Sequence, residues 1–203
     1  MLHCSTLRVV AITDNLRDGV PGLVARAQAA RRGGATMIQL RLPDEPARTL
    51  VAAARALVES LDVPVVVHGR VDIAVATGAA GVHLGVSDVL PADVRRIAGE
   101  GLIIGRSAGN EEEARLAGGA DYVALGPVFP AAGQCADGTL GLEGFARVAR
   151  LVSIPVIAIG GISTRTAADV VRAGASGVAL ISGILGAPDP ELAAKTLHSA
   201  IET

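Results

Sequence analysis

Residues 155–163 read Pro155-Val156-Ile157-Ala158-Ile159-Gly160-Gly161-Ile162-Ser163, and Thr164 to Ala173 follow directly. The first stretch is an unbroken apolar run closed by two glycines. A strand covered on both faces has no solvent side and so no polar alternation, which is how parallel strands read. The second stretch has the spacing of a short helix and stops at Gly174. A strand passed through a glycine turn into a helix is one βα unit.

Outward from it, the same unit recurs about every 25 residues. Strands are expected at Arg8–Thr13, Met37–Arg41, Val65–His68, Gly81–Leu84, Leu102–Arg106, Tyr122–Gly126, Pro155–Ile159 and Gly177–Ile181. Helices are expected at Pro21–Arg32, Pro46–Ser60, Val71–Thr77, Pro91–Ala98, Glu111–Ala117, Leu142–Leu151, Thr164–Ala173 and Pro190–Ile201. Pro21, Pro46, Pro91 and Pro190 suit first turns, and Gly33-Gly34, Gly78 and Gly118-Gly119 suit stops. Eight such units in 203 residues predict an α/β chain folded as one (β/α)8 TIM barrel over residues 1–203. An open doubly wound sheet is the alternative. The Gly-x-Gly-x-x-Gly turn that marks many such sheets is absent after the first strand, where Thr13-Asp14-Asn15 stands.

Composition narrows the functions. Half of the residues are hydrophobic and 19% are charged, which suits a packed core without disulfides. A net charge of −2 and three aromatics, Tyr122, Phe129 and Phe145, offer neither the basic patch nor the stacking platforms that nucleic acid needs. No apolar run is long enough to span a bilayer. Met1 to Cys4 lacks a signal-peptide core, so a cytoplasmic location is expected. Cys4 and Cys135 form no CxxC pair. Lys195 is the only lysine among 18 basic residues, which removes Schiff-base aldolases and P-loop enzymes.

In a barrel the C-terminal ends of the strands carry the chemistry. Gln39 and Arg41, His68 and Arg70, His83 and Asp88, and Arg106 and Ser107 would arrive there. Gly160-Gly161 and Ser182-Gly183 follow strands seven and eight, where barrels commonly hold a phosphate on backbone N–H groups and helix N-termini. A small-molecule phosphate is therefore the expected ligand. The one long irregular stretch, Pro127 to Gly141, follows strand six.

These residues carry a resemblance. Ala11-Ile12-Thr13-Asp14, Ile38-Gln39-Leu40-Arg41, Gly81-Val82-His83-Leu84-Gly85, Gly126-Pro127-Val128-Phe129-Pro130 and Pro155 to Ile162 are similar to the thiamine phosphate synthase/TenI family over almost the whole chain. The resemblance implies a TIM barrel, consistent with the count above, and admits a homodimer. It also implies two activities. The synthase joins hydroxymethylpyrimidine pyrophosphate to thiazole phosphate with Mg²⁺; the thiazole tautomerase moves a proton on a thiazole carboxylate phosphate and needs no metal.

Several positions depart from the synthase pattern. Its Asn-Asp-Arg at the end of strand three, whose Asp binds Mg²⁺, is His68-Gly69-Arg70 here. Its lysine two residues after the strand-two arginine is Pro43, and its Thr-Pro-Thr-Lys loop is Ala131-Ala132-Gly133-Gln134. Asp88 keeps the other metal position. The expectation is therefore a TenI-like thiazole tautomerase, an isomerase without a cofactor. His68 and His83 are its candidate acid–base groups. Gln39, Arg41, Ser107, Gly160, Gly161, Ser182 and Gly183 are the substrate ligands. That branch's own catalytic histidine is replaced by Pro127. The alternatives are a synthase with an altered pyrophosphate subsite, using Asp88 and Mg²⁺, and a non-catalytic binder of thiazole phosphate.

Overall fold

The computed structural model of this chain describes residues 2–131 and 137–202. A 3-10 turn, Cys4–Leu7, precedes eight βα units. The strands are β1 (Val9–Ile12), β2 (Met37–Leu40), β3 (Val65–His68), β4 (Gly81–Leu84), β5 (Ile103–Ala108), β6 (Tyr122–Leu125), β7 (Val156–Ile159) and β8 (Gly177–Leu180). The helices are α1 (Gly19–Arg32), α2 (Ala47–Ser60), α3 (Val71–Thr77), α4 (Pro91–Ala98), α5 (Glu111–Arg115), α6 (Gly141–Ala149), α7 (Ala167–Arg172) and α8 (Pro190–Ile201). Every strand pairs in parallel with its sequence neighbours, and β8 pairs with β1, so the sheet closes. The chain is a (β/α)8 barrel, as the periodicity predicts.

Each strand splits its side chains between two cores, because successive residues point to opposite faces. Val9, Ala11, Ile38, Leu40, Val82, Leu84 and Val123 face the helices in one large core. Val10, Ile12, Met37, Val66, Tyr122 and Ile157 fill the barrel interior. Each buried Val, Leu or Ile contributes roughly 1.5–3 kcal/mol of transfer free energy, so few positions on these short strands can be polar without compensation. Among the described residues the buried polar set is Thr13, Gln39, His83 and Arg106. All four lie toward the C-terminal ends of the strands.

Some boundaries differ from the periodic reading. β5 runs on to Ala108, because β6 goes on pairing with Ser107 and Ala108 after the β4 register has ended at Arg106. α7 begins at Ala167, three residues later than expected, since Ser163 and Thr166 form a side-chain-bonded turn first. Pro91 and Pro190 open their helices, whereas Pro46 is the N-cap and Pro21 lies inside the first turn of α1.

Candidate active site

At the strand ends five side chains form one row, two hydrogen-bonded groups joined by a stacked pair of rings. Gln39 Nε2 donates to His68 Nδ1 at 3.1 Å. The His68 and His83 rings stack with centroids 5.8 Å apart, as register partners on β3 and β4. His83 Nε2 meets Ser107 Oγ at 2.9 Å, and His83 Nδ1 meets the Tyr122 hydroxyl at 3.0 Å. Ser107 is half-buried at the mouth, while His83 and Tyr122 are sealed below it.

The two histidines are not equivalent. Burial pushes His83 down to about 3, with help from the charges of His68 and Arg106. At neutral pH it is an uncharged imidazole cut off from solvent, so the expected acid–base role of His83 does not stand. His68 is half-buried, and burial, then the nearby Arg41 charge, lowers it below the usual histidine range; Asp88 offsets part of this. Because Gln39 donates to His68 Nδ1, a neutral His68 carries its proton on Nε2. That edge faces Gly85 and Asp88: a Cβ on Gly85 would stand 3.8 Å from His68 Nε2 and 3.3 Å from Asp88 Oδ2. The ring presents a donor rather than a free basic nitrogen, which argues against His68 as the general base.

Arg41, His68 and Arg70 line a cavity of about 140 Å³ with Leu42, Pro43, Glu45 and Leu50. Thr13 fixes the backbone beneath it, accepting from Arg41 N–H at 2.8 Å and donating to Arg41 O at 3.0 Å. Arg70 is paired with Asp72 at 2.6 Å, so Asp72 serves as its counter-ion. A larger cavity, about 330 Å³, lies between the loops after α5 and α6 at the opposite end of the barrel, remote from these groups.

Asp88 sits in the loop after β4, its Oδ2 accepting from Gly85 N–H at 2.7 Å. Arg106 holds that loop. It is 2% exposed and donates to the carbonyls of Gly85 (2.8 Å), Val86 (2.9 Å), Asp88 (3.3 Å) and Val89 (3.3 Å). Sequence reasoning missed this role, since its acceptors are main-chain atoms that no motif marks. Among the described residues no cluster of three or more His, Cys, Asp or Glu is arranged to hold a metal.

The two glycine turns lie across the same mouth. Gly161, Ser182 and Gly183 are exposed and Gly160 is half-buried. Among the described residues no main-chain carbonyl accepts from the N–H of Gly161 or Gly183, so both donors are free for an anion. The helix N-termini invoked for this site stand farther off: Gly161 leads into the 163–166 turn before α7, and Ser182 begins a turn well before α8. Gly160 and Gly161 are glycines for a nearer reason. Both have positive φ, and a Cβ at 161 would lie 2.5 Å from Phe129 O and 2.6 Å from Pro130 O, where the chain after β6 crosses. Ala132, Gly133, Gln134 and Cys135 of that stretch lie outside the described residues.

Fold and site together define a (β/α)8 barrel with a polar, partly cationic mouth. Within that class the chain belongs to the thiamine monophosphate synthase family, whose sequence profile matches residues 9–184. It is 46% identical over 199 residues to the thiamine-phosphate synthase of Roseiflexus sp. (strain RS-1), covering 95% of this chain and 84% of the relative. It is 45% identical over 202 residues to that of Xanthobacter autotrophicus (strain ATCC BAA-1158 / Py2), covering 96% and 95%. Among solved structures, a thiamine phosphate pyrophosphorylase from Pyrococcus furiosus superposes with a TM-score of 0.87 at 37% identity, covering 98% and 97% of the two chains. A 3-hexulose-6-phosphate synthase at 21% identity, with a TM-score of 0.71, shares the fold.

These relatives overturn the expected tautomerase. They are named as synthases over nearly the full chain, so the replacements at Gly69 and Pro43 do not mark a tautomerase against the rest of the sequence. The mouth agrees on chemical grounds. A proton shuttle needs an accessible base near neutral pH, but His83 is sealed and the acceptor nitrogen of His68 is occupied by Gln39.

Proposed function

We propose that this chain is a thiamine phosphate synthase, a transferase that joins hydroxymethylpyrimidine pyrophosphate to thiazole phosphate. The observation that carries this reading is the near-full-length similarity, at about 45% identity, to proteins bearing that name. The geometry supports it through a mouth rich in donors. In the reaction the bond from the pyrimidine methylene carbon to diphosphate oxygen breaks, and a bond from that carbon to the thiazole nitrogen forms. Charge collects on the departing diphosphate, so catalysis requires donors and cations aimed there and not a base.

Arg41 and His68 Nε2–H at the 140 Å³ cavity would receive the diphosphate, with Ser107 as a further donor on the other side of His83. Arg41 can offer a guanidinium fork to two oxygens at once. Across the mouth, the free N–H groups of Gly161 and Gly183, with Ser182, would hold the thiazole monophosphate. Gln39 sets the His68 ring.

The donors fit Mg²⁺ only in company with the substrate. Asp88 offers one carboxylate, with Oδ2 already accepting from Gly85 N–H, and diphosphate oxygens and water would complete the shell. When bound there, Mg²⁺ would neutralise the charge of the leaving diphosphate. A cytoplasmic enzyme acting on small phosphorylated molecules is the setting this reading implies.

The test is formation of thiamine phosphate by the purified chain, read as thiochrome fluorescence, with both substrates and Mg²⁺ present. Sustained product, abolished by chelator, is expected. No product beside an active reference synthase in the same buffer would overturn the proposal.

A further inference from the structure

His83, Gly105 and Tyr122 lie side by side across three strands: Gly105 is the register partner of His83 on β4 and of Tyr122 on β6. The imidazole and the phenol meet over Gly105. A Cβ there would stand 2.3 Å from Tyr122 Cζ, 2.4 Å from its hydroxyl oxygen and 2.5 Å from His83 Nδ1. The hydrogen bond between the two rings thus occupies the space that any other residue at 105 would fill. Ser107, on the same strand as Gly105, takes the other edge of the imidazole.

Three protons are available for this row: one on a neutral imidazole, one on Tyr122 and one on Ser107. They can be arranged in two ways. In the first, Ser107 donates to His83 Nε2, Nδ1–H donates to Tyr122, and the phenolic proton has nowhere to go. Tyr122 is 0% exposed, and its only described hydrogen-bond partner is His83. A buried donor without an acceptor carries a full desolvation penalty. In the second, Tyr122 donates to Nδ1, Nε2–H donates to Ser107 Oγ, and the free proton is that of Ser107. Ser107 stands half-buried at the mouth, where a ligand or water can accept it. Only the second arrangement satisfies every buried donor.

We infer that His83 is a positioning residue: Tyr122 locks it as the Nε2–H tautomer, and it occupies the acceptor side of Ser107 so that the serine proton points out to an anionic substrate oxygen. The depressed basicity of His83 agrees with this, since a doubly protonated ring would have a second N–H opposing the Tyr122 donor. The ligand side of the inference, a diphosphate oxygen at Ser107, rests on the synthase reading; the tautomer does not.

Two measurements test it. The first is nitrogen-15 NMR of the histidine-labelled chain at pH 7, wild type and Tyr122→Phe. Wild-type His83 should carry its proton on Nε2 alone, and loss of the phenol should let the Nδ1–H form appear. A wild-type ring protonated on Nδ1, or a tautomer indifferent to Tyr122→Phe, overturns the inference. The second compares His83→Gln with His83→Leu, using titration of inorganic pyrophosphate with Mg²⁺ and, where turnover exists, kcat. The glutamine amide can still donate to Ser107, so His83→Gln should hold within about 3-fold. His83→Leu should lose about 10-fold to 100-fold, the worth of one donor to a charged oxygen, mostly in kcat rather than KM. Equal losses in both variants would overturn the positioning role. A wild-type chain with the stated tautomer that binds no pyrophosphate would sink the synthase reading and leave the hydrogen-bond assignment standing.

Discussion

The Asp88 carboxylate approaches within 3.4 Å of the point where Gly69 would carry a Cβ. A carboxylate at 69 would therefore stand against the one at 88, and this chain has only the latter. A single carboxylate holds Mg²⁺ poorly until phosphate oxygens join it. Free protein should accordingly bind Mg²⁺ or Mn²⁺ only weakly, and binding should tighten when inorganic pyrophosphate is added. Gly69→Asp should raise the affinity of the pyrophosphate-free protein at least 10-fold, seen by Mn²⁺ paramagnetic resonance. The φ of +67° at Gly69 is one that Asp tolerates better than most residues. Tight metal binding by the unsubstituted free chain would contradict this account.

Gly161 supports two functions at once, a crossing of chains and a free N–H. A methyl at 161 meets Phe129 O and Pro130 O at 2.5 and 2.6 Å, and the backbone there has a φ of +63°. Gly161→Ala should cost about 1–3 kcal/mol of stability from strain and overpacking. The affinity for thiazole phosphate should fall with it, since the turn must move. Urea unfolding and ligand titration on the same preparation check both. Full stability with lost binding would mean that the glycine serves the ligand alone.

The barrel was legible because its strands are buried on both faces and its helices are punctuated. β3, β4, α3, α4 and α8 have the bounds that the apolar runs, prolines and glycines predict. The mouth was legible as a set of positions but not as chemistry. His83 reads as a candidate acid–base group until Tyr122 and Gly105 are seen to close over it, and that depends on strand register. Arg106 reads only as one of the polar residues arriving at the strand ends until the loop it holds, 17 to 21 residues away, is in view. The reaction is hard to read for a related reason: local replacements such as Gly69 are conspicuous, whereas similarity spread along the barrel is not.

The two mouth histidines set a pH dependence of stability whose sign follows from burial. Both are harder to protonate in the folded chain than in the unfolded one, His83 falling from 6.5 to about 3. As pH drops below about 6.5 the unfolded chain takes up protons that the folded chain refuses, so stability falls. For each group the loss approaches about 1.4 kcal/mol per pH unit until its folded value is reached. Carboxylates titrate lower, so the window from pH 6.5 to 5 belongs to histidines. The Tm should decline across that window, and His83→Gln should flatten the decline. A wild-type Tm constant from pH 7.5 to 5 would refute the burial argument.

Arg106 offers the clearest separation of stability from metal use. Its guanidinium is sealed from water with no carboxylate partner among the described residues; four main-chain carbonyls of the 85–89 loop solvate it instead, and Nε has no hydrogen-bond partner among the described residues. Lysine cannot reproduce a planar fork that spans those oxygens. Arg106→Lys and Arg106→Met should each cost about 2–3 kcal/mol, because buried acceptors lose a charged donor. The same loop carries Asp88, so its displacement should reach the metal. The Mg²⁺ concentration for half-maximal turnover should rise about 10-fold, with a smaller change in kcat at saturating Mg²⁺. Thiochrome assays across a Mg²⁺ series, beside urea unfolding of each variant, measure both. A destabilised variant with an unmoved Mg²⁺ curve would show that Asp88 keeps its place without Arg106, held by its two hydrogen bonds with Gly85.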